Sequence, residues 1–234
     1  MKKYLIKSIL TVAVLLIASC TSSETRYLIE AIDSGRKDEA IRMIQSGTEV
    51  NGSVRYNMTP LYYAVFRGHY DIAEMLVKSG AETESRETAN GETILMAAAS
   101  RKDSYPYVKL LVEYGAEINP RRAKNTWPVL THAAASGNIA SVRYLIKNGA
   151  DLSYHKGFKS PLIIAAEYAH FSIVRLLIES GVNPNETDAE GRTALYSAQY
   201  FGEKSYSAEE KKRFKEIENY LKKQGAREYT GLRL

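Results

Sequence analysis

The sequence predicts an all-α solenoid of about six helix–turn–helix units, and three observations carry that prediction. Glycines suited to ending a second helix recur as Gly47, Gly80, Gly115, Gly149, Gly181 and Gly225, at spacings of 33, 35, 34, 32 and 44. Alanines inside a first helix recur as Ala31, Ala64, Ala98, Ala133, Ala165 and Ala198, at spacings of 33, 34, 35, 32 and 33. Five of the six glycines are preceded by an apolar pair: Met43 and Ile44, Leu76 and Val77, Leu111 and Val112, Leu145 and Ile146, Leu177 and Ile178. A period of this length marks units that cannot bury their apolar faces alone and do so by stacking, and about three already suffice for a stable array.

Residues 59–81 are the clearest copy. Thr59 is a good N-cap, because its hydroxyl can accept a first-turn amide, and Pro60 has the fixed φ that suits the first helical position. Leu61, Ala64 and Val65 form the apolar stripe of that helix, and Gly68 stops it. Ile72, Met75, Leu76 and Val77 supply the face of a second helix that ends at Gly80. Thr59-Pro60-Leu61, Gly68-His69 and the closing Gly80-Ala81 resemble an ankyrin repeat. The resemblance implies an ankyrin solenoid in which the polar segments between units, such as 47–58 and 181–192, form protruding hairpin loops, and in which the loop tips and first helices line a concave face.

The units follow in order as 26–58, 59–92, 93–127, 128–159, 160–192 and 193–227, with a tail over 228–234. The first lacks Thr-Pro and carries Glu30, Asp33 and Arg42, as a solvent-facing cap would. The third has Ile94 for Pro and Lys102-Asp103 for Gly-His, and one extra residue predicts a bulged turn over Asp103-Ser104-Tyr105-Pro106-Tyr107. The fourth starts on Pro128-Val129-Leu130, so its N-cap is less clear; the fifth has Ser160-Pro161-Leu162 and Ala169-His170. The sixth opens on Thr193-Ala194-Leu195 and continues into a longer helix whose start, Ser207-Ala208-Glu209-Glu210, predicts a capping box in which Glu210 reaches back to the Ser207 amide. Phe214, Ile217 and Leu221 share one face of it, and Lys222 stands where other units are apolar. That fits a terminal cap; a basic helix docking on a partner or on anionic lipid is the other reading.

The N-terminus reads as a secretory signal peptide over 1–19: Lys2, Lys3 and Lys7, an apolar run from Ile9 to Ala18, then Ile17-Ala18-Ser19-Cys20. That end resembles a bacterial lipobox, which implies lipidation of Cys20 as the new N-terminus, with 20–25 as a short polar tether. Thr21 in place of Asp favours, by the enterobacterial sorting rule, the outer membrane facing the periplasm over the inner membrane or cell surface. An ordinary secreted protein or an uncleaved anchor is the alternative. Cys20 is the only cysteine, so no disulfide is available. Loss of 1–19 lowers the formal charge from +5 to +2, which gives little reason to invoke nucleic acid.

The residues offer no Gly-x-Ser-x-Gly, no phosphate-binding glycine loop and no His pair at metal-ligand spacing, so no enzyme, cofactor or metal is expected. His69 and His170 stand where the ankyrin resemblance places a turn-bonding His, and His132 and His155 read as packed or solvated. Repeat alignment puts Phe66, Arg67, Ser100, Arg101, Ala135, Ser136, Glu167, Tyr168, Tyr200 and Phe201 on the exposed side of the first helices. The hairpins add Arg55, Tyr56, Met58, Lys124, Asn125, Trp127, Lys156, Lys159 and Arg192. Aromatic and Arg side chains dominate binding hot spots, because they bury large areas at small entropic cost or make directed hydrogen bonds. The expectation is a monomer that binds a protein partner through aromatic anchors flanked by basic residues; the competing expectation is that these aromatics pack between neighbouring repeats. An immunity or inhibitor protein against a periplasm-acting toxin, and a structural or chaperone-like envelope protein, are the alternative functions.

Overall fold

The computed structural model describes residues 23–85, 91–120, 127–153 and 159–228. Twelve α-helices fall within them: α1 (23–33), α2 (Lys37–Gln45), α3 (Pro60–Arg67), α4 (Tyr70–Lys78), α5 (Ile94–Ala99), α6 (Ser104–Glu113), α7 (Val129–Ser136), α8 (Ile139–Lys147), α9 (Pro161–Glu167), α10 (Phe171–Glu179), α11 (Ala194–Lys204) and α12 (Ala208–Lys223). An isolated β-bridge joins Val54 and Met58. Odd-numbered helices touch in sequence from α3 to α11 as an inner row, and even-numbered helices from α2 to α12 as an outer row. This is the stack of helix pairs that the period predicts.

Identical register positions fill the core. Leu61, Leu95, Leu130, Leu162 and Leu195 are all buried in the inner row, as are Ala64, Ala98, Ala133, Ala165 and Ala198; Leu76, Leu111, Leu145, Leu177 and Leu221 are buried in the outer row. Alanine at the inner position lets neighbouring backbones approach closely, while leucine fills the space between rows. Four of the inner helices are started by a side-chain cap. Thr59, Thr93, Ser160 and Thr193 accept the amides of Tyr62, Met96, Ile163 and Tyr196, whereas Pro128 makes no side-chain cap, as its side chain requires. In unit five the turn position that Gly68 and Gly137 occupy at φ 81° and 78° falls to Ala169, held at φ 56°.

Three expectations need correction. Residues 23–25 are helical rather than a tether: Thr25 is buried and donates from its hydroxyl to the Glu49 carbonyl at 3.1 Å, which ties the first turn to the first hairpin loop. Ser104-Tyr105-Pro106-Tyr107 is not a bulge but the first turn of α6, where proline is tolerated because its missing N–H would have no helical partner. Ser207 does accept the Glu210 amide at 3.4 Å, but the Glu210 carboxylate accepts the Ser205 hydroxyl at 2.6 Å, so only half of the expected capping box forms.

Candidate functional site

The inner row presents its exposed side chains to the concave face, and the sequence-predicted residues divide there into three groups. The first group is held by the scaffold. Arg101 donates through one guanidinium nitrogen to the carbonyls of Val65 and Phe66 at 3.0 and 3.1 Å, and lies 4.8 Å over the Tyr107 ring. His69 and His170 do the same work with Nε2, against the carbonyls of Ile32 (3.2 Å) and Ala135 (3.1 Å), and Asn138 does so against Lys102 at 2.9 Å. Arg101, His69 and His170 each tie a turn to the inner helix of the preceding repeat, and Asn138 ties its turn to the preceding turn. Arg101 is therefore the stand-in for the missing His of unit three. Arg67 is likewise engaged: its Nε donates to Asp33 at 2.6 Å, and that bond and charge hold its pKa above the ordinary guanidinium value.

The second group is exposed and separate. Phe66 is 57% exposed and stacks on Tyr62 at 6.2 Å. Tyr56 is exposed at the tip of the first hairpin loop with φ 61°, Met58 beside it is half-buried against the core, and of Arg55 only the backbone, in the short 3-10 turn Arg55–Asn57, is described. Tyr200 and Phe201 pack edge to face at 5.2 Å, with Tyr196 stacked on Tyr200 at 5.9 Å and Lys204 5.8 Å from the Tyr200 ring. Ser100 is exposed, and Ala135 and Ser136 are half-buried. Cys20, Lys124, Asn125, His155 and Lys156 lie outside the described residues.

The third group converges. Trp127, Lys159, Tyr168 and Arg192, from the hairpin segments of three repeats and the end of α9, line one cleft of about 330 Å³. Ile164 lies among its walls, and Glu167, Asp188 and Glu190 complete it. Lys159 Nζ meets Glu167 Oε1 at 2.6 Å, and the Glu167 side chain is only 10% exposed, rather than standing out on the exposed side of the first helix as repeat alignment puts it. The Ser197 hydroxyl also approaches the same oxygen at 3.4 Å. Asp188 is the anchor of the last hairpin: Oδ1 accepts the amides of Glu190 and Arg192 at 3.0 and 2.9 Å, and Oδ2 accepts Arg192 Nε at 2.8 Å. Burial works to raise its pKa, but the Arg192 amide and guanidinium outweigh that and hold it below the ordinary carboxylate range. Arg192 also reaches Glu190 at 2.7 Å. Of the predicted basic flanks, Lys159 and Arg192 are thus present but neutralised, and Asp188 and Glu190 are the residues sequence reasoning missed. The signal for them was the spacing Asp188-x-x-Gly191-Arg192, a turn with a cation four residues after a carboxylate.

Behind the cleft, Trp127 lies 5.7 Å from His132, and Tyr168 stacks on His170 at 6.1 Å. His132 Nδ1 is 2.8 Å from the Ser100 hydroxyl, which also donates to the Met96 carbonyl at 3.0 Å. Both bonds are satisfied when His132 is the neutral Nδ1–H tautomer, and burial pushes its pKa down to about 4. Among the described residues no group of three or more His, Cys, Asp or Glu is placed to hold a metal, and no helix is long and apolar enough to cross a membrane.

On the outer row, aromatics outside the candidate set pack between repeats. Tyr70 packs edge to face on Tyr107 at 5.5 Å, Tyr105 on Tyr144 at 5.9 Å, and Phe171 on Tyr220 at 5.6 Å, each pair joining successive outer helices. On this convex side the rings do pack between repeats.

Family profiles agree with the geometry. "Ankyrin repeats (3 copies)" matches residues 81–156 and "Ankyrin repeats (many copies)" matches 28–77 and 162–207, so together they account for most of the chain. Among curated proteins, the Ankyrin repeat and KH domain-containing protein mask-1 of Caenorhabditis elegans is 30% identical over 73% of this chain and 7% of its own length. The putative ankyrin repeat protein FPV014 of Fowlpox virus is 26% identical over 68% of this chain and 36% of its own. The probable E3 ubiquitin-protein ligase XBOS32 of rice, Oryza sativa subsp. japonica, is 38% identical over 31% of this chain and 15% of its own. The chain thus spans only a small part of these relatives, and what is shared is the repeat array. From the period, the stacked rows, the turn-bonding His69 and His170 and these matches, the chain belongs to the ankyrin-repeat family.

Proposed function

We propose that this chain holds a protein partner against its concave face and is displayed on a bacterial cell envelope by a lipid on Cys20. Ankyrin repeats indicate a protein–protein interaction module, and a rigid solenoid suits that role because it presents a preorganised surface and loses little entropy on binding. The observation that carries the choice of surface is the convergence of Trp127, Lys159, Tyr168 and Arg192 in one cleft, with Tyr168 54% exposed and Phe66 57% exposed along the same inner row. Arg101 and Arg67 are already engaged by the scaffold, so the proposal rests on the aromatic residues first. The envelope part rests on the leader and Cys20 motif in the sequence. Neutralisation of a toxin reaching the periplasm is one specific form of this role, and a structural or chaperone-like envelope role is another; the leader joined to a binding scaffold supports all three alike.

The test is capture of bound proteins from native envelopes by the full chain and by the double variant Phe66→Ala, Tyr168→Ala. Loss of the bound protein with an unchanged thermal unfolding curve is expected, and an unchanged capture would refute the concave surface. Cys20→Ser is expected to move the protein from the membrane fraction to the soluble one; retention on the membrane would refute the lipid anchor.

A further inference from the structure

The inner row repeats in register at Ala31, Ala64 and Ala98, so the position of Phe66 is filled in the flanking repeats by Asp33 and Ser100. A phenyl ring reaches further from the backbone than either of those side chains. At 57% exposure it is therefore a knob on the concave face, between two short polar neighbours. Side chains of three repeats hold it. In its own repeat the ring stacks on Tyr62, 6.2 Å away and 15° from parallel, and Tyr62 is only 5% exposed, with its hydroxyl donating to the Glu92 carboxylate at 3.1 Å. The Arg67 guanidinium lies 5.5 Å from the ring centre, and its Nε is fixed by Asp33 of the first repeat at 2.6 Å. The Phe66 carbonyl accepts Arg101 of the third repeat at 3.1 Å, which fixes the end of α3. Folding gains little from a ring left in water, whereas binding loses less entropy when that ring already keeps one rotamer.

We propose that Phe66 is a preset anchor that enters an apolar pocket on the protein partner, with Tyr62 and Arg67 as the positioning residues that aim it. A knob needs a hollow, and a phenyl ring offers no hydrogen bond to a polar one, so the complementary surface is a dry pocket of the kind that binding hot spots fill. The inference rests on the concave face being the binding surface, and it adds the chemistry of the partner's pocket and the side chains that orient the anchor.

Ring order is read first and needs no partner. The chain has five phenylalanines, so in the full chain labelled with 13C,15N-phenylalanine and held in detergent the Phe66 signals are assigned by their loss in Phe66→Leu. Three-bond couplings that report a single χ1 rotamer are the expected result, with averaging in Tyr62→Leu and Arg67→Met and a single rotamer again in Tyr62→Phe, which keeps the stack. Averaged couplings in the native chain would overturn the proposal. Affinity is read second, by calorimetry on the protein captured from native envelopes. Tyr62→Leu and Arg67→Met are expected to weaken binding about two- to tenfold, the cost of ordering one free side chain, with Tyr62→Phe close to native. Phe66→Tyr is expected to weaken binding as well, because it carries a hydroxyl into a pocket without a partner for it. Native affinity in Phe66→Tyr, or in both Tyr62→Leu and Arg67→Met, would overturn the proposal. If Tyr62→Leu unfolds, as judged by circular dichroism, the exposed Arg67→Met carries the same test. Averaged couplings together with loss of capture in the Phe66 and Tyr168 double variant sink the preset anchor alone, whereas a single rotamer with unchanged capture in that variant sinks the binding surface and the anchor with it.

Discussion

The join between repeats three and four and the join between repeats four and five differ at one position of the hairpin edge. Four residues after the outer-helix glycine, repeat three carries Asn119, which donates to the Gly149 carbonyl at 2.8 Å and accepts the Asp151 amide at 2.9 Å. Asn51 and Asn185 make the same pair of bonds, to Gly80 and Glu82 and to Gly225 and Arg227. Glu84, at the same position in repeat two, accepts the Glu117 amide at 2.6 Å. Ser153, in repeat four, turns both its amide and its hydroxyl back to Asp151 of its own repeat. The chemistry of the side chains explains the series. An amide carries a donor and an acceptor on one short stem, a carboxylate carries acceptors only, and a hydroxyl is too close to the backbone to span the gap. The hairpin edge of the solenoid is therefore sewn unevenly, and the cleft lined by Trp127, Lys159 and Arg192 lies across the join that lacks the asparagine.

Breaking the third-to-fourth join gives the largest expected effect, and acid is the means. His132 of α7 bonds Ser100 just after α5, and its pKa falls from 6.5 in the unfolded chain to about 4 in the folded one. The unfolded chain therefore binds the proton first, so stability is full above pH 6.5 and is lost as pH falls toward 4, by about 3 kcal/mol at the low end. Denaturant midpoints across that range check this, and His132→Gln should flatten the profile. Next in size, Asn119→Ala removes two inter-repeat bonds and is expected to cost about 1–2 kcal/mol, while Ser153→Ala costs close to nothing. Equal losses would erase the distinction between the joins. Ser153→Asn supplies the missing donor and acceptor and is expected to add about 1 kcal/mol if the Gly181 carbonyl and Asn183 amide accept the stitch. The smallest change is Ala169→Gly, which relieves a residue with a Cβ at φ 56° and is expected to raise stability by about 0.5 kcal/mol, net of glycine's greater freedom in the unfolded chain.

The fold was legible because its signal is repeated. One misplaced residue in a single unit, such as Pro128 at an N-cap, changes little when Leu130 and Ala133 still stand in register with their counterparts in the other units. The candidate site was legible only by position. Alignment finds Tyr168 and Trp127 on the inner side, but which cations stay free depends on side chains more than thirty residues apart in sequence, such as Arg101 with Val65 and Arg67 with Asp33. No local pattern states that Arg101 replaces a histidine, because the two side chains share reach and donor capacity and not sequence neighbours. The buried hydroxyl pair Ser104 and Ser141, 2.6 Å apart between α6 and α8, escaped for the same reason: each serine alone reads as a helix-start residue, and only stacking makes them partners.

The uneven stitching has a mechanical reading. The turn edge at the fourth join is fastened by His170 to Ala135, while the hairpin edge is not fastened by Ser153. Among the described residues the fourth join is thus the one with its turn edge tied and no stitch from position 153, and a change in the arc of the stack is expected there first. The aromatic cleft sits there, so a partner wider or narrower than the resting mouth can be met by a local change in curvature, with the other repeats moving as rigid blocks on either side.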